Sequence, residues 1–134
     1  MNLKLSLALH VIGIVMWTGS LIVASRIIAL GVKSANDNSA IWLKKIFFGW
    51  TMAGLVLVTL TGLYQLMIGG GPGVYFEQGW FHGKVTLVII LYIVTFLFSR
   101  FISQTQKKAS TAMMIHGLTG LCLILIILLT FLGR

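Results

Sequence analysis

Three histidines stand in this chain, His10, His82 and His116, and each lies inside or at the start of a long apolar run. Neutral imidazole is the commonest metal ligand among side chains. An ionisable group inside a membrane is expensive, ~2.5–3.5 kcal/mol on insertion scales for Asp, Lys or Arg at a helix centre, so it is normally paired or functional. Two neutral imidazoles on neighbouring helices can bind a haem iron from opposite faces. The plainer alternative makes each histidine an interfacial residue hydrogen-bonded to the next helix. Other catalytic arrangements are missing. Asp37 and Glu77 are the only acids, so there is no carboxylate pair. The GGGPG run at 69–73 lacks the Lys-Ser/Thr ending of a phosphate loop. Cys122 is the single cysteine, which excludes an intramolecular disulfide and a cysteine zinc site.

The elements that must position these residues are written in the composition. The 134 residues are 58% hydrophobic and 9% charged, whereas soluble domains carry roughly 45–50% and ~25%. The mean hydropathy is +1.03. A soluble enzyme and a disordered chain are both excluded. Four runs are long enough to cross a hydrocarbon core, about 5–30, 46–68, 80–102 and 112–132. They imply an all-α fold, an integral membrane four-helix bundle forming one domain over 1–134. The first run is too long for a signal peptide and reads as a retained helix. Its polar successor, VKSANDNS at 32–39, has turn composition.

The net charge of +8 would suggest nucleic acid in a soluble protein, but here the bases flank apolar runs, so no nucleic-acid partner is expected. Arg26, Lys33, Lys44 and Lys45 flank the first connection, and Arg100, Lys107 and Lys108 the third. Lys4, Lys84 and Arg134 remain for the other side, with Glu77. Because the positive side stays in the cytoplasm, both termini are expected outside, in the periplasm if the membrane is a bacterial inner membrane.

This topology lets His10 and His82 share a site near the outer surface and sends His116 toward the other side, more than ~15 Å away along straight helices. Gly13 and Trp17 fall on the His10 face at helical spacing. Thr86 lies one turn beyond His82. The second helix offers Gly54, Thr61 and Gln65 on about one stripe, with Gly62 beside it. Lys84 could reach a haem propionate, or snorkel to the headgroups. Met113, Met114 and His116 raise a copper reading, since thioether and imidazole suit Cu(I). Methionine in such a helix is more often filler, and the adjacent pair points about 100° apart.

The residues now assembled resemble the HemJ-type protoporphyrinogen oxidases. Leu9-His10-Val11-Ile12 followed by Trp17 and Gly19 looks like their first helix, with Arg26 near its end. Trp80-Phe81-His82-Gly83-Lys84 looks like their Trp-x-His-x-Lys motif, and Lys44-Lys45 stands where they carry a basic pair. CopD-like membrane domains share the general pattern. The resemblance implies haem b on His10 and His82, Lys84 close by, and oxidation of protoporphyrinogen IX with electrons passed to quinone. Ser25-Arg26 replaces the family's Pro-Arg, and helix four lacks its Asn-Glu-x-Pro segment. Three functions stay open at this stage: a HemJ-type oxidase, a non-catalytic cytochrome b-like subunit of a larger membrane complex, and copper handling. A bundle this small with broad aromatic faces also suggests a homodimer or incorporation into a larger membrane complex.

Overall fold

A computed structural model describes residues 2–30, 38–69, 71–102 and 109–132. The chain forms α1 (Leu3–Ala29), α2 (Asn38–Ile46), a π-helical turn (Phe47–Thr51), α3 (Met52–Ile68), the short α4 (Pro72–Phe76), α5 (Gly79–Ile102) and α6 (Ala109–Leu132), with no strand among the described residues. α2, the π turn and α3 run on as one rod, so the second span covers Ile41–Ile68. Four helices are therefore long and apolar enough to cross a membrane, and the chain is an all-α, multi-pass membrane protein. Asn2 starts α1 by accepting a hydrogen bond from the Lys4 amide, 3.2 Å.

The π turn lies on the buried face of the second rod. Leu43, Phe47 and Thr51 are all fully buried, at two successive steps of four residues. Such spacing keeps the three on one face of the rod, turned to the bundle. Beyond it the buried face continues through Gly54, Val58 and Thr61.

In lipid the apolar tails outside are as favourable as a leucine core, so helices associate through close packing and hydrogen bonds. The α1/α3 seam shows both. A Cβ on Gly54 would lie 2.5 Å from the Trp17 amide nitrogen and 2.8 Å from the Gly13 carbonyl oxygen. A Cβ on Gly13 would lie 2.8 Å from Val58 Cγ2. Only glycine permits this approach of two backbones. Polar pairs continue the seam on either side: Gln65 Nε2 donates to the Ser6 carbonyl and hydroxyl, 3.2 Å each, and Ser20 Oγ meets Thr51 Oγ1 at 2.7 Å. Those pairs set α1 and α3 antiparallel.

α6 packs on α1 and α5 through Ala112, Ile115, Thr119 and Cys122. α5 is tied in by side chains. Trp17 Nε1–H donates to Thr95 Oγ1 at 2.9 Å, Tyr92 hydrogen-bonds Thr59, and Phe47 meets Phe98 edge-on at 5.7 Å. The topology is up-down-up-down, with α1 and α5 parallel. Among the described residues no buried side-chain nitrogen or oxygen lacks a partner, as a solvent without hydrogen bonds demands. Arg26, Lys44, Lys45 and Arg100 are exposed at one end of the bundle, and Lys4, Lys84 and Glu77 lie at the other. The expectations that involve Lys33, Asp37, Lys107, Lys108 and Arg134 fall outside the described residues.

Candidate functional site

His10 enters the α1/α3 seam one turn before Gly13. Its Nδ1 lies 2.9 Å from Thr61 Oγ1. Thr61 Oγ1 also lies 2.6 Å from the Leu57 carbonyl oxygen. With the hydroxyl hydrogen on that carbonyl, the oxygen accepts from Nδ1–H and the lone pair of the neutral ring falls on Nε2. Gly62 clears space beside the ring, since a Cβ there would stand 3.3 Å from His10 Cε1. The ring is half-buried, and Ser6 and Gln65 close the seam above it.

His82 is placed differently. It is exposed, and Nε2 lies 2.8 Å from the Phe76 carbonyl oxygen. A carbonyl can only accept, so Nε2–H donates and the lone pair sits on Nδ1. The imidazole also leans on the Phe76 ring, centroids 5.6 Å apart. α4 thus acts as a bracket that engages His82 at the start of α5. Thr86 is exposed and turns back on its own helix, donating to the His82 carbonyl at 2.9 Å. Lys84 extends its ammonium over the Trp80 ring, 4.4 Å from the centroid.

No hydrogen bond joins His10 to His82, and they share no partner. The helix register explains why. The Trp17–Thr95 bond ties the two parallel helices together. His10 lies seven residues before Trp17, and His82 thirteen before Thr95, in the first turn of α5. The sequence pattern placed both at similar depth; the structure sets His82 nearer the helix start.

Trp17 is only 2% exposed and lies deeper than His10, with its ring 5.0 Å from that of Tyr92. Gly13 forms the backbone contact already described. His116 lies on the α1/α6 side, with Nδ1 at 3.3 Å from both Ser25 Oγ and the Ile22 carbonyl oxygen. Met113 and Met114 point outward, 59% and 66% exposed, away from that contact. Among the described residues no three of His, Cys, Asp and Glu come together as a metal site.

The donor set can be tested against haem iron. A ligating histidine needs a free ring nitrogen and a hydrogen bond on the other. His10 meets both conditions on Nε2. His82, as placed, meets them on Nδ1, with Phe76 holding Nε2–H; ligation through Nε2 would mean releasing Phe76. The residues sequence reasoning grouped as a mere stripe, Thr61 with Gly62, touch the His10 ring directly. Their signal was helical spacing alone, which could not say that the stripe faces α1.

No protein-family model matches the chain, and no solved structure matches it at a significant level. Curated relatives do. The chain is 24% identical over 105 residues to the protoporphyrinogen IX oxidase of Helicobacter pylori strain J99, covering 75% of this chain and 70% of that protein. It is 23% identical, with the same coverage, to the protoporphyrinogen IX oxidase of Helicobacter pylori strain 26695.

Proposed function

We propose that this chain is a membrane oxidoreductase of the protoporphyrinogen IX oxidase kind, with haem b held through His10. The similarity to the Helicobacter enzymes supports the substrate class. The observation that carries the haem reading is the His10–Thr61 contact at 2.9 Å, which lets a half-buried imidazole turn Nε2 to a ligand. When bound, haem supplies one-electron transfer between substrate and acceptor. His10 would hold the iron, with Gly62 leaving room for the ring edge. His82 would supply a second imidazole, and Lys84 would offer its ammonium to a carboxylate of the group. The six hydrogens removed from protoporphyrinogen IX would leave as six electrons and six protons, reducing three membrane quinones to quinols.

The charge distribution supports an inner-membrane orientation with the His10 end and both termini on the periplasmic side. An impermeant thiol reagent applied outside should label Glu77→Cys and spare Lys45→Cys. The reverse pattern overturns the orientation. An apolar groove of about 570 Å³ opens beside the π turn, lined by Met16, Phe48, Gly49, Met52, Ala53 and Leu60 among others, and lipid tails or the helix of a second copy or a larger complex would fit it alike.

The decisive experiment combines a pyridine haemochrome assay on purified protein with porphyrin fluorescence from protoporphyrinogen IX and a quinone. The expected result is bound haem b and quinone-dependent porphyrin formation. Haem without turnover would leave a non-catalytic cytochrome-like protein. Neither haem nor turnover would sink the proposal.

A further inference from the structure

We infer that Thr61 is a positioning residue for His10: its hydroxyl selects the Nδ1–H tautomer and aims the Nε2 lone pair at the ligand site. This rests on the reading of His10 as an iron ligand. Thr61 is 3% exposed, and its hydroxyl hydrogen is committed to the backbone of its own helix. Leu57 O lies at 2.6 Å and Val58 O at 3.2 Å, so either acceptor takes that hydrogen. Both leave the oxygen facing α1 as an acceptor with no hydrogen of its own to offer. An isolated neutral imidazole can carry its proton on either nitrogen. Facing such an acceptor at 2.9 Å, it must put the proton on Nδ1 or leave two lone pairs opposed.

The constraint is rotational as well as tautomeric. The ring is held at Nδ1 by Thr61, and Gly62 admits its Cε1 edge, where a Cβ would stand 3.3 Å away. Thr61 also polarises the ring. A hydrogen bond from Nδ1–H makes Nε2 a stronger donor to a metal, favouring the oxidised iron. His82 has a carbonyl on its Nε2–H and therefore the opposite tautomer. Of the two imidazoles, only His10 has a partner that prepares Nε2 for a ligand.

The test uses the full-length protein in nanodiscs, with ¹⁵N-labelled histidine. Nitrogen shifts of His10 in the haem-free protein should show Nδ1 protonated and Nε2 bare. Thr61→Val should move the ring to the other tautomer or a mixture, and Thr61→Ser should restore the wild-type pattern. Haemin titration should show affinity falling about 10–100-fold in Thr61→Val, the range found when outer partners of ligating histidines are removed. The midpoint potential of the haem retained by that variant should rise, and Thr61→Ser should recover both values. Helical circular dichroism checks that each variant is folded. An unchanged His10 tautomer in a folded Thr61→Val overturns the inference. If wild type takes up no haem while the tautomers follow Thr61 as described, positioning by Thr61 stands and the haem reading fails.

Discussion

His10 and His82 sit on parallel helices toward the same end of the bundle, yet their surroundings differ in kind. His10 is gripped by a packed seam of two helices that approach to backbone contact at Gly13 and Gly54. Its partner is a side-chain hydroxyl, and its outward nitrogen is left bare. His82 lies exposed at a corner built from a five-residue helix. Its partner is a backbone carbonyl, and the nitrogen usually given to haem is the one engaged. One ring is held by packing with Nε2 turned to the ligand side. The other offers Nδ1 as it stands and would offer Nε2 only by giving up its hydrogen bond to Phe76. Identical side chains thus differ in readiness because one is fixed by tertiary packing and the other by a local connection.

The largest effect should come from removing the prepared ligand. His10→Ala should abolish nearly all haem binding, a loss greater than the ~10–100-fold typical of outer-partner changes. His82→Ala should cost less, because part of its binding energy is already spent in breaking the Phe76 contact. Its haem should turn from low-spin six-coordinate to five-coordinate while remaining in place. Haemochrome content and optical spectra of the two variants at equal protein concentration check this. Equal losses would erase the distinction between seam and corner.

Next in size is the seam itself. Gly54→Ala puts a Cβ 2.5 Å from the Trp17 backbone nitrogen. Backbone cannot swing aside as a side chain can, so the helices must separate, at about 1–3 kcal/mol by the usual cost of overpacking. The separation would also carry His10 away from Thr61, and haem affinity should fall with stability. Gly117→Ala is the control. Nothing lies within 4 Å of its Cβ position, and alanine is the better helix former by ~1 kcal/mol. Unfolding in mixed micelles should show the first variant weakened and the second unchanged or strengthened. A neutral Gly54→Ala would mean the seam is looser than its geometry.

Much of this was legible in the residues. Four apolar runs announced four membrane helices, and the rods at α1, α5 and α6 need nothing beyond that. The second rod begins at Asn38, before its apolar run, because Leu43 and Phe47 bury against the bundle while Trp42 and Lys45 stay outside. Tertiary contact, which a hydropathy pattern does not contain, extends that helix. The stripe Gly54, Thr61, Gln65 was visible by spacing, but its partner helix was not. Depth was the weakest inference. It counted residues from the ends of runs, whereas the register is set by Trp17 meeting Thr95 and by Thr59 meeting Tyr92. Such cross-helix pairs are invisible until the helices are docked.

The smallest effect belongs to the third histidine. His116 faces α1 near Ile22 and Ser25, twelve to fifteen residues beyond His10 along the same helix. At ~1.5 Å per residue that is roughly 18–22 Å from the His10 ring, too far for a shared iron. Its two contacts are long, 3.3 Å each, and Ser25 keeps its own bond to the Ile22 carbonyl at 2.9 Å when the imidazole is gone. Removing His116 therefore strands no buried donor. Interhelical hydrogen bonds of this kind average ~0.6 kcal/mol in membranes, so His116→Ala should lower stability by about that much. Haem content and spectrum should match wild type. The measurement is sharp because the neighbouring variants frame it: His10→Ala sets the signal for a lost ligand, and Gly54→Ala sets it for a sprung seam. A bleached His116→Ala protein of normal stability would place the iron at the α1/α6 contact, and the readiness argued for His10 would then belong to the wrong end of the bundle.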